Sequence, residues 1–301
     1  MRQKIFKIFI ILLFIAGFAL LAYPTISNEW NTYVQSKLIN NYEDSLSGLS
    51  EEDYAEEWAA AEAFNATITE NAIGTDVFGT NADGDAATPT DEFLNSEYYS
   101  VLNVNGDGIM GYLSIPKINV KLSIMHGTFD EYLQTAVGHM NGTSLPIGGE
   151  SSHSVLVAHR GLPSAELFTN LDQLEVGDKF YIHVLGETLA YQVDQITPMV
   201  DADDIDTLSE LLSIEDGQDY VTLFTCTPYG VNTHRLLVRG TRVEYLGEDE
   251  APTGTEAVVD TVKNYYMIFS IVGFIIAVIL IFIIRQIFKK RKGEISEKSS
   301  L

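Results

Sequence analysis

The stretch VTLFTCTPYGVNTHRLLVRGTRV, residues 221–243, contains the single cysteine of this 301-residue chain. Its two runs of β-branched and aromatic residues predict two strands, and the Thr-Pro-Tyr-Gly sequence between them cannot continue a strand. Cys226 therefore lies at a strand end that opens into a loop, where reactive groups can meet substrates. A small buried hydrophobic residue is the alternative interpretation of such a cysteine.

The residues around this stretch predict a mainly β domain that begins at about residue 98. Short runs of β-branched and aromatic residues alternate with Gly, Asn, Asp and Pro; the runs are 111–125, 154–160, 179–200, 219–227 and 234–246. Residues 185–188 predict a hairpin loop, and residues 164–176 predict a short helix between strands. Strands of this length and spacing favour a barrel or a sandwich.

Two apolar segments lie near the opposite ends of the chain. Residues 5–23 follow Arg2 and Lys4, and residues 265–287 precede a basic tail, 288–301. Each segment is long enough to cross the roughly 30 Å hydrocarbon layer of a bilayer as a helix. We interpret the first as an uncleaved anchor rather than a signal peptide, because its small-residue cleavage signal is weak.

The distribution of charge predicts how the chain is placed across the membrane. Basic residues flank both apolar segments on their outer ends, so residues 1–4 and the C-terminal tail are predicted to be cytoplasmic and residues 24–264 extracellular. The extracellular part has nine Lys and Arg residues against forty Asp and Glu residues, a net charge of −31, whereas the whole chain carries −24. A surface so acidic argues against nucleic acid or anionic lipid as the ligand.

The extracellular part divides into four predicted regions. Residues 24–70 predict a helical region, because apolar residues recur at spacings of three and four. Residues 71–97 are rich in Gly, Asp, Asn and Thr and predict an exposed loop. The β domain follows at residues 98–246, and a polar linker, residues 247–264, leads to the second apolar segment.

A cysteine nucleophile needs an imidazole or a cation nearby to become a thiolate at neutral pH. His159 ends the run Ser-Val-Leu-Val-Ala and precedes Arg-Gly-Leu-Pro, so it occupies the same type of strand end as Cys226. Arg235 and Arg239 are the cations downstream of the cysteine that could face an oxyanion, although each could equally form a surface ion pair. Five other histidines compete with His159: His126, His139, His153, His183 and His234.

These residues resemble the signature of a known family, the sortases. TLFTC, residues 222–226, followed by a downstream arginine resembles their T-L-x-T-C…R motif, and SVLVAHRG, residues 154–161, resembles the segment that carries their catalytic histidine. Residues 98–246 resemble the class C, pilin-polymerising branch, and a C-terminal membrane helix with a basic tail is typical of that class. The resemblance implies a sortase-type closed β-barrel of about eight strands with short helices, an N-terminal helical region with a lid loop, and two transmembrane helices.

The resemblance also implies a reaction and its participants. Cys226 would attack the Thr–Gly carbonyl of an LPXTG-like sorting signal, His159 would transfer the proton, and Arg235 would stabilise the oxyanion. A lysine amine of another pilin subunit would then take the acyl group from the thioester. The implied partners are pilin subunits that carry the sorting signal and an acceptor lysine, together with the membrane, and no metal or organic cofactor is required.

Class C sortases also carry a lid, an Asp-Pro-aromatic motif in the loop before the barrel. Asp76-Val77-Phe78 is similar to that motif but has valine in place of proline, which frees the backbone φ angle at this position. The implied lid residues are therefore Asp76 and Phe78. Asp91-Glu92-Phe93 is a rival lid sequence in the same loop.

Three other interpretations are open to test. The chain could attach surface proteins to the cell wall instead of polymerising pilins. It could also be a sortase client, since clients end in a sorting motif, an apolar span and a basic tail, but the sequence Ala-Pro-Thr-Gly-Thr at residues 251–255 lacks the required leucine and spacing. Residues 103–108, Asn-Val-Asn-Gly-Asp-Gly, imitate the start of a calcium-binding loop, yet Ser114 stands where a bidentate glutamate is needed, so no metal site is predicted.

Overall fold

The computed structural model describes residues 2–71, 78, 86–247 and 275. The chain divides into two compact units, Met1–Ala251 and Pro252–Leu301. In the second unit only Ile275, which is helical, is described, so the predicted second membrane segment and the basic tail lie outside the described residues, as does nearly all of the linker. The fold that follows is that of the first unit.

Eight strands in the described part of the first unit close into a barrel in the order β1–β2–β3–β4–β7–β8–β6–β5. The pairs β2–β3 and β4–β7 are parallel, and the other neighbouring pairs are antiparallel. The strands are β1 (Ile109–Ile115), β2 (Val120–His126), β3 (Val137–His139), β4 (Ser152–Val157), β5 (Lys179–Val184), β6 (Glu187–Asp201), β7 (Asp219–Thr227) and β8 (His234–Val243). The predicted mainly β, closed barrel of about eight strands is confirmed.

Short helices connect the strands, and two longer helices precede them. The α-helices are α1 (Arg2–Ser47), α2 (Glu51–Asn65), α3 (Asp91–Leu94), α4 (Glu97–Ser100), α5 (Asp130–Leu133) and α6 (Ile205–Leu211), and Pro116–Ile118 and Leu171–Gln173 form 3-10 helices. The helix expected at residues 164–176 is reduced to the second 3-10 turn, because Leu167 has a φ of 42°, which an α-helix cannot contain. The β region also starts later than expected, at Ile109 rather than near residue 98, which lies in α4.

Helix α1 is longer than the sequence indicates. It runs through Pro24 without a break and joins the predicted membrane segment, residues 5–23, to the first part of the predicted helical region. Pro24 removes one backbone hydrogen bond, but the bonds of the turns on either side remain. The helical region then divides at Gly48, because Ser50 and Asp53 form a capping box that starts α2. Within α1, the helical stretch Leu12–Ser47 contains an 18-residue window with a mean hydropathy of 1.3, which is long and apolar enough to cross a membrane.

The C-terminal half of α1 packs on the barrel through one row of side chains. Gln35, Ile39, Tyr42 and Leu46 follow one another at helical spacing and are almost fully buried. The Tyr42 hydroxyl donates to the Met110 carbonyl at 3.1 Å and accepts from the amide of the residue after β5 at 2.9 Å. These bonds fix α1 against two neighbouring strands of the barrel.

The strands that carry the candidate site contribute to two separate apolar clusters. Leu223 of β7 belongs to the main cluster with the rest of the barrel core. Phe224 belongs to a second cluster, which it forms with Val155 and Val157 of β4 and with residues of α6. Because side chains alternate along a strand, Cys226 lies on the same side of β7 as Phe224. The thiol therefore belongs to the face of the barrel that carries the second cluster.

Candidate active site

His159 and Cys226 lie at the same end of two neighbouring parallel strands, β4 and β7. The Ala158 amide donates to the Phe224 carbonyl at 3.2 Å, and the Thr225 hydroxyl donates to the Ala158 carbonyl at 2.7 Å. These two bonds hold the end of β4 against β7 immediately before His159. The sequence reasoning that placed both residues at strand ends is confirmed, and the parallel pairing brings those ends together.

Arg235 faces Cys226 directly across the antiparallel pair β7–β8, where the two residues are register partners. Opposed residues in such a pair project from the same face of the sheet. The Arg235 Nη1 atom donates to the carbonyls of Asn232 and His234 at 3.0 and 3.1 Å, which holds the guanidinium at the start of β8. The sequence hypothesis that Arg235 meets Cys226 therefore agrees with the strand register.

Arg239, the alternative cation, is engaged elsewhere. It forms two hydrogen bonds with the carboxylate of Asp194, at 2.8 and 3.2 Å, and a third with Glu215 at 3.2 Å. Its guanidinium also lies 4.0 Å from the ring centroid of Tyr220. In the register of β7 and β8 it opposes Thr222 rather than Cys226. Arg239 is therefore an ion-pair residue on the barrel.

Phe78 lies against three parts of this site. Its ring is stacked on the imidazole of His159, with centroids 5.8 Å apart and planes inclined by 23°. It also contacts the ring of Phe224 at 5.7 Å, and the Arg235 guanidinium carbon lies 5.0 Å from its centroid. One aromatic ring thus connects the imidazole, the guanidinium and the residue two positions before Cys226. Its sequence neighbour in the lid motif, Asp76, lies outside the described residues.

The rival lid residue, Phe93, packs in a different place. It lies in α3 and contacts Tyr98, Tyr99 and Phe129, with centroid distances of 5.8, 5.5 and 4.7 Å. None of these partners is a predicted site residue. Of the two aromatic residues in the predicted loop, Phe78 is the one placed over the site.

Burial favours the neutral forms of both reactive groups. Only 8% of the surface of Cys226 is exposed, and this desolvation raises the pKa of the thiol, while the charge of Arg235 lowers it by a smaller amount. Desolvation likewise lowers the pKa of His159, and the carboxylate of Asp130 opposes that shift. A thiolate–imidazolium pair therefore becomes more favourable when water reaches the site.

Sequence reasoning did not single out two residues close to this pair. Asp130, at the start of α5, is the charged group that raises the pKa of His159. Arg160 is the second: its side chain is only 8% exposed and donates to the Thr227 hydroxyl and to the Thr169 carbonyl, both at 3.2 Å. Arg160 follows His159 and Thr227 follows Cys226, so this guanidinium connects the two strand ends. The motif His-Arg-Gly was the available signal for Arg160, whereas no local pattern indicated Asp130.

Of the competing histidines, three are fully buried and bonded inside the barrel. His126 contacts the Gly108 and Val101 carbonyls, His139 contacts Tyr98 and Ser144, and His153 contacts Ser213 and Thr222. His126 and His139 are the last residues of β2 and β3. His183 lies in β5 beside the ring of Tyr112, and His234 contacts Thr233. Phe78 lies on His159 and on none of these.

The polar side chains of the calcium-like loop, residues 103–108, bond to the backbone of the turn itself. The Asn103 side chain accepts from the Gly108 amide at 2.8 Å, and the Asp107 carboxylate accepts from the Ile109 amide at 3.1 Å. These bonds close the turn that leads into β1. Among residues 2–71, 86–247 and the two isolated described positions, no group of three or more His, Cys, Asp or Glu side chains is arranged to hold a metal ion.

Comparison with known proteins identifies the family. The sortase domain model matches residues 113–243. The structure of sortase C1 from Streptococcus agalactiae is 44% identical, covers 69% of this chain and 99% of its own, and superposes with a TM-score of 0.59. The chain belongs to the sortase family. Its members are cysteine transpeptidases, in agreement with the enzyme class that the sequence indicated.

The structural relatives of this sortase place it in class C. Sortase C from Streptococcus pneumoniae is 42% identical, with 69% of this chain and 97% of that chain covered and a TM-score of 0.57. Among curated proteins, sortase D of Bacillus subtilis is 30% identical, and the aligned part covers 44% of this chain and 63% of that relative. Sortase SrtE1 of Streptomyces coelicolor is 26% identical over 44% of this chain, which spans 40% of that relative.

Proposed function

We propose that this sortase is a membrane-anchored transpeptidase that cleaves LPXTG-like sorting signals between Thr and Gly and joins the acyl group to a lysine amine of a pilin subunit. The observation that carries the proposal is the convergence of Cys226, His159 and Arg235 at one end of β4, β7 and β8. The class C relatives support pilin as the substrate class, because the Streptococcus pneumoniae sortase C is described with a pilin substrate.

The first half of the reaction forms a thioester. The Cys226 thiolate attacks the Thr carbonyl carbon, and the negative charge that develops on the carbonyl oxygen is stabilised by the guanidinium of Arg235. The His159 imidazolium gives its proton to the glycine nitrogen as the C–N bond breaks. The products are an acyl-enzyme and a free glycine amine.

The second half transfers the acyl group to lysine. The neutral lysine amine attacks the thioester carbonyl while His159 takes the proton from the nitrogen. The C–S bond breaks, the Cys226 thiolate leaves, and an isopeptide bond remains between two subunits. The cycle balances without an oxidant, a metal or an organic cofactor.

Phe78 is proposed to be the aromatic residue of a lid, with Asp76 as its acidic partner. Its contacts with His159, Phe224 and Arg235 occupy the space that a substrate needs in order to approach the thiol. A segment that has to move before substrate binds controls both access and the solvation of the catalytic groups. The lid thereby keeps the enzyme inactive until a substrate displaces it.

Membrane anchoring through α1 is part of the proposal. The apolar part of this helix includes Leu12, Leu13, Leu20 and Leu21, each more than half exposed. Side chains of this kind belong in a hydrocarbon layer rather than in water. We place residues 5–23 in the bilayer, the catalytic domain outside the cell, and the second span at residues 265–287, with both termini cytoplasmic.

The test uses full-length protein in detergent micelles, a fluorogenic sorting peptide and two acceptors. Wild-type enzyme should form a mass-shifted acyl-enzyme at Cys226 and transfer the acyl group to a lysine-containing pilin peptide. Cys226→Ala, His159→Ala and Arg235→Ala should each lower turnover by at least 100-fold. His234→Ala is the matched control and should retain activity, because the imidazole of this histidine contacts the Thr233 hydroxyl, and its carbonyl, which accepts from Arg235, is kept in the variant.

The acceptor decides between the two sortase functions. Transfer to a cell-wall amine but not to the lysine peptide would replace pilin polymerisation with surface-protein attachment. Unchanged peptide cleavage by Cys226→Ala would exclude the enzyme mechanism altogether and leave the cysteine a structural residue.

A further inference from the structure

Helix α1 continues past its apolar segment and contacts the loop that follows His159. The Asn28 side chain accepts from the Glu166 amide at 2.9 Å, and the Asn31 side chain donates to the Ser164 carbonyl at 2.6 Å. One turn further on, Gln35 accepts from the amide and the hydroxyl of Ser123, both at 2.8 Å. The barrel-facing side of α1 is therefore polar in this region and is hydrogen-bonded to the barrel.

The opposite side of the same helix carries an aromatic stripe, which consists of Tyr23, Ile26, Trp30 and Tyr33. Their exposed fractions are 52, 65, 64 and 61%. The spacing of three, four and three residues places them on one face, about 160° around the helix axis from the barrel-facing row. The ring centroids of Trp30 and Tyr33 are 5.9 Å apart, so these two rings form one aromatic pair.

The stripe begins where the apolar segment ends, on an unbroken helix. Trp30 lies seven residues beyond Tyr23, which adds about 10 Å along the axis. The interfacial layer of a bilayer extends roughly 5–8 Å beyond the hydrocarbon on each side, and a helix tilt shortens the distance of Trp30 from the hydrocarbon. Tryptophan and tyrosine are the residues enriched in this layer, because each combines an apolar ring with a polar group.

The charge of the region favours uncharged aromatic anchoring over attraction to anionic headgroups. Residues 24–36 contain no Lys or Arg, and their single acidic residue is Glu29. The extracellular part as a whole is strongly acidic and is repelled by an anionic surface. Neutral rings can hold such a domain at a membrane because their binding does not depend on headgroup charge.

We propose that the stripe from Tyr23 to Trp30 lies in the interfacial layer of the outer leaflet, with Tyr33 beyond it, and that it holds the loop after His159 close to the membrane surface. This inference rests on the membrane anchoring of α1 proposed above. The stripe sets the tilt of α1, and the bonds of Asn28 and Asn31 transmit that tilt to residues 164–166. A sorting motif that precedes a membrane span also emerges at this height, so the stripe brings the active site to its substrate.

The chain supplies its own spectroscopic probe, since Trp30 and Trp58 are its only tryptophans. Trp58→Phe leaves Trp30 as the single reporter of the stripe. Trp30→Phe leaves Trp58, which lies in α2 partly buried against the main apolar cluster, as the matched control. Full-length variants would be reconstituted in phosphatidylcholine vesicles that contain lipids brominated at shallow or deep chain positions, and titrated with aqueous iodide.

Trp30 should be quenched at least threefold more strongly by the shallow brominated lipid than Trp58 is, and it should be protected from iodide. Quenching of Trp30 by iodide but not by brominated lipid would place the stripe in water and overturn the proposal. Protection from both quenchers would mean that protein covers the stripe, which also overturns it. Flotation of the same vesicles tests membrane insertion of the full chain separately, and quenching of Trp58→Phe by the deep brominated lipid below that by the shallow one assigns the depth of α1.

A functional experiment tests the consequence for catalysis. Trp30→Glu should lower cleavage of a sorting signal attached to a membrane span by several-fold, while cleavage of the same signal as a soluble peptide stays unchanged. Val176→Glu places the same charge on another exposed apolar residue, 66% exposed on the barrel, and should affect neither substrate. Equal cleavage of the membrane-bound substrate by Trp30→Glu and wild type would refute the positioning role.

Discussion

Replacing Phe78 with alanine should uncover the only thiol of this sortase. The side chain contributes ring contacts with His159 and Phe224 and a cation–π contact with Arg235. Ring contacts stabilise by about 0.5–1.5 kcal/mol each, and a partly exposed cation–π contact by about 0.5–1 kcal/mol. The three contacts together stabilise the covered state by about 1.5–4 kcal/mol.

Because each 1.4 kcal/mol corresponds to a tenfold change in population, loss of these contacts should raise the uncovered fraction by at least about 10-fold. The half-buried position of Phe78 favours the lower part of the range, so we expect about a 10- to 100-fold change. Water reaching the site also lowers the pKa of Cys226 and raises that of His159, since burial is the main cause of both shifts. Both effects increase the amount of accessible thiolate.

The assay is the rate of reaction of Cys226 with an aromatic disulfide reagent, which reports one residue because the chain has one cysteine. Phe78→Ala should react about 10- to 100-fold faster than wild type at pH 7.5. Phe93→Ala removes the same group from the rival lid sequence, where it packs on Phe129, and should leave the rate unchanged. A Phe78→Ala rate within twofold of wild type, or an equal acceleration by Phe93→Ala, would refute the reasoning.

Two further predictions concern ionisation. Asp130→Asn should lower the pKa of His159, because the Asp130 carboxylate raises it. NMR titration of the imidazole measures this pKa, and the control Glu131→Gln should change it less. Equal shifts in the two variants would contradict the assignment. Burial lowers the pKa of His139 to about 3 and of His153 to about 4, below the unfolded value of about 6.5. The contribution of the two neutral histidines to folding stability is therefore fully present above pH 6.5 and is lost as the pH falls towards 4. At pH 5 each of these two histidines should lower the free energy of unfolding by about 2 kcal/mol relative to pH 7.5. A denaturation midpoint that stays constant from pH 7.5 to 5 would disprove this.

Local sequence patterns predicted most of the strands, although they did not indicate β3 (Val137–His139) and gave β1 and β2 as one run. The β7–loop–β8 unit, with Cys226 near the end of one strand and Arg235 near the start of the next, follows from β-branched runs on either side of Thr-Pro-Tyr-Gly. The hairpin at residues 185–188 follows from its turn residues in the same way. These features depend on neighbours in the chain, so a single sequence contains the information for them.

Other elements depended on packing that the local pattern does not contain. The sequence divided residues 5–23 from residues 24–70, yet α1 continues through Pro24, and Gln35, Ile39 and Tyr42 hold its C-terminal half against the barrel. Residues 164–176 were predicted to form a helix, yet the part before Leu171 is a loop that bonds to α1 through Ser164 and to Arg160 through Thr169. In both cases tertiary contacts outweighed local preference.

The sequence alone determined the β-rich class, the strand ends and the types of reactive group, because periodicity and turn chemistry act over a few residues. The tertiary structure alone decided which groups meet. Ala158 and Thr225 are 67 positions apart, and the parallel pairing of β4 with β7 brings them into contact. That pairing places His159 beside the strand that carries Cys226, and tertiary contacts place Phe78 against His159, Phe224 and Arg235. Such contacts arise only when the barrel closes, since no local pattern specifies the partner of a distant strand.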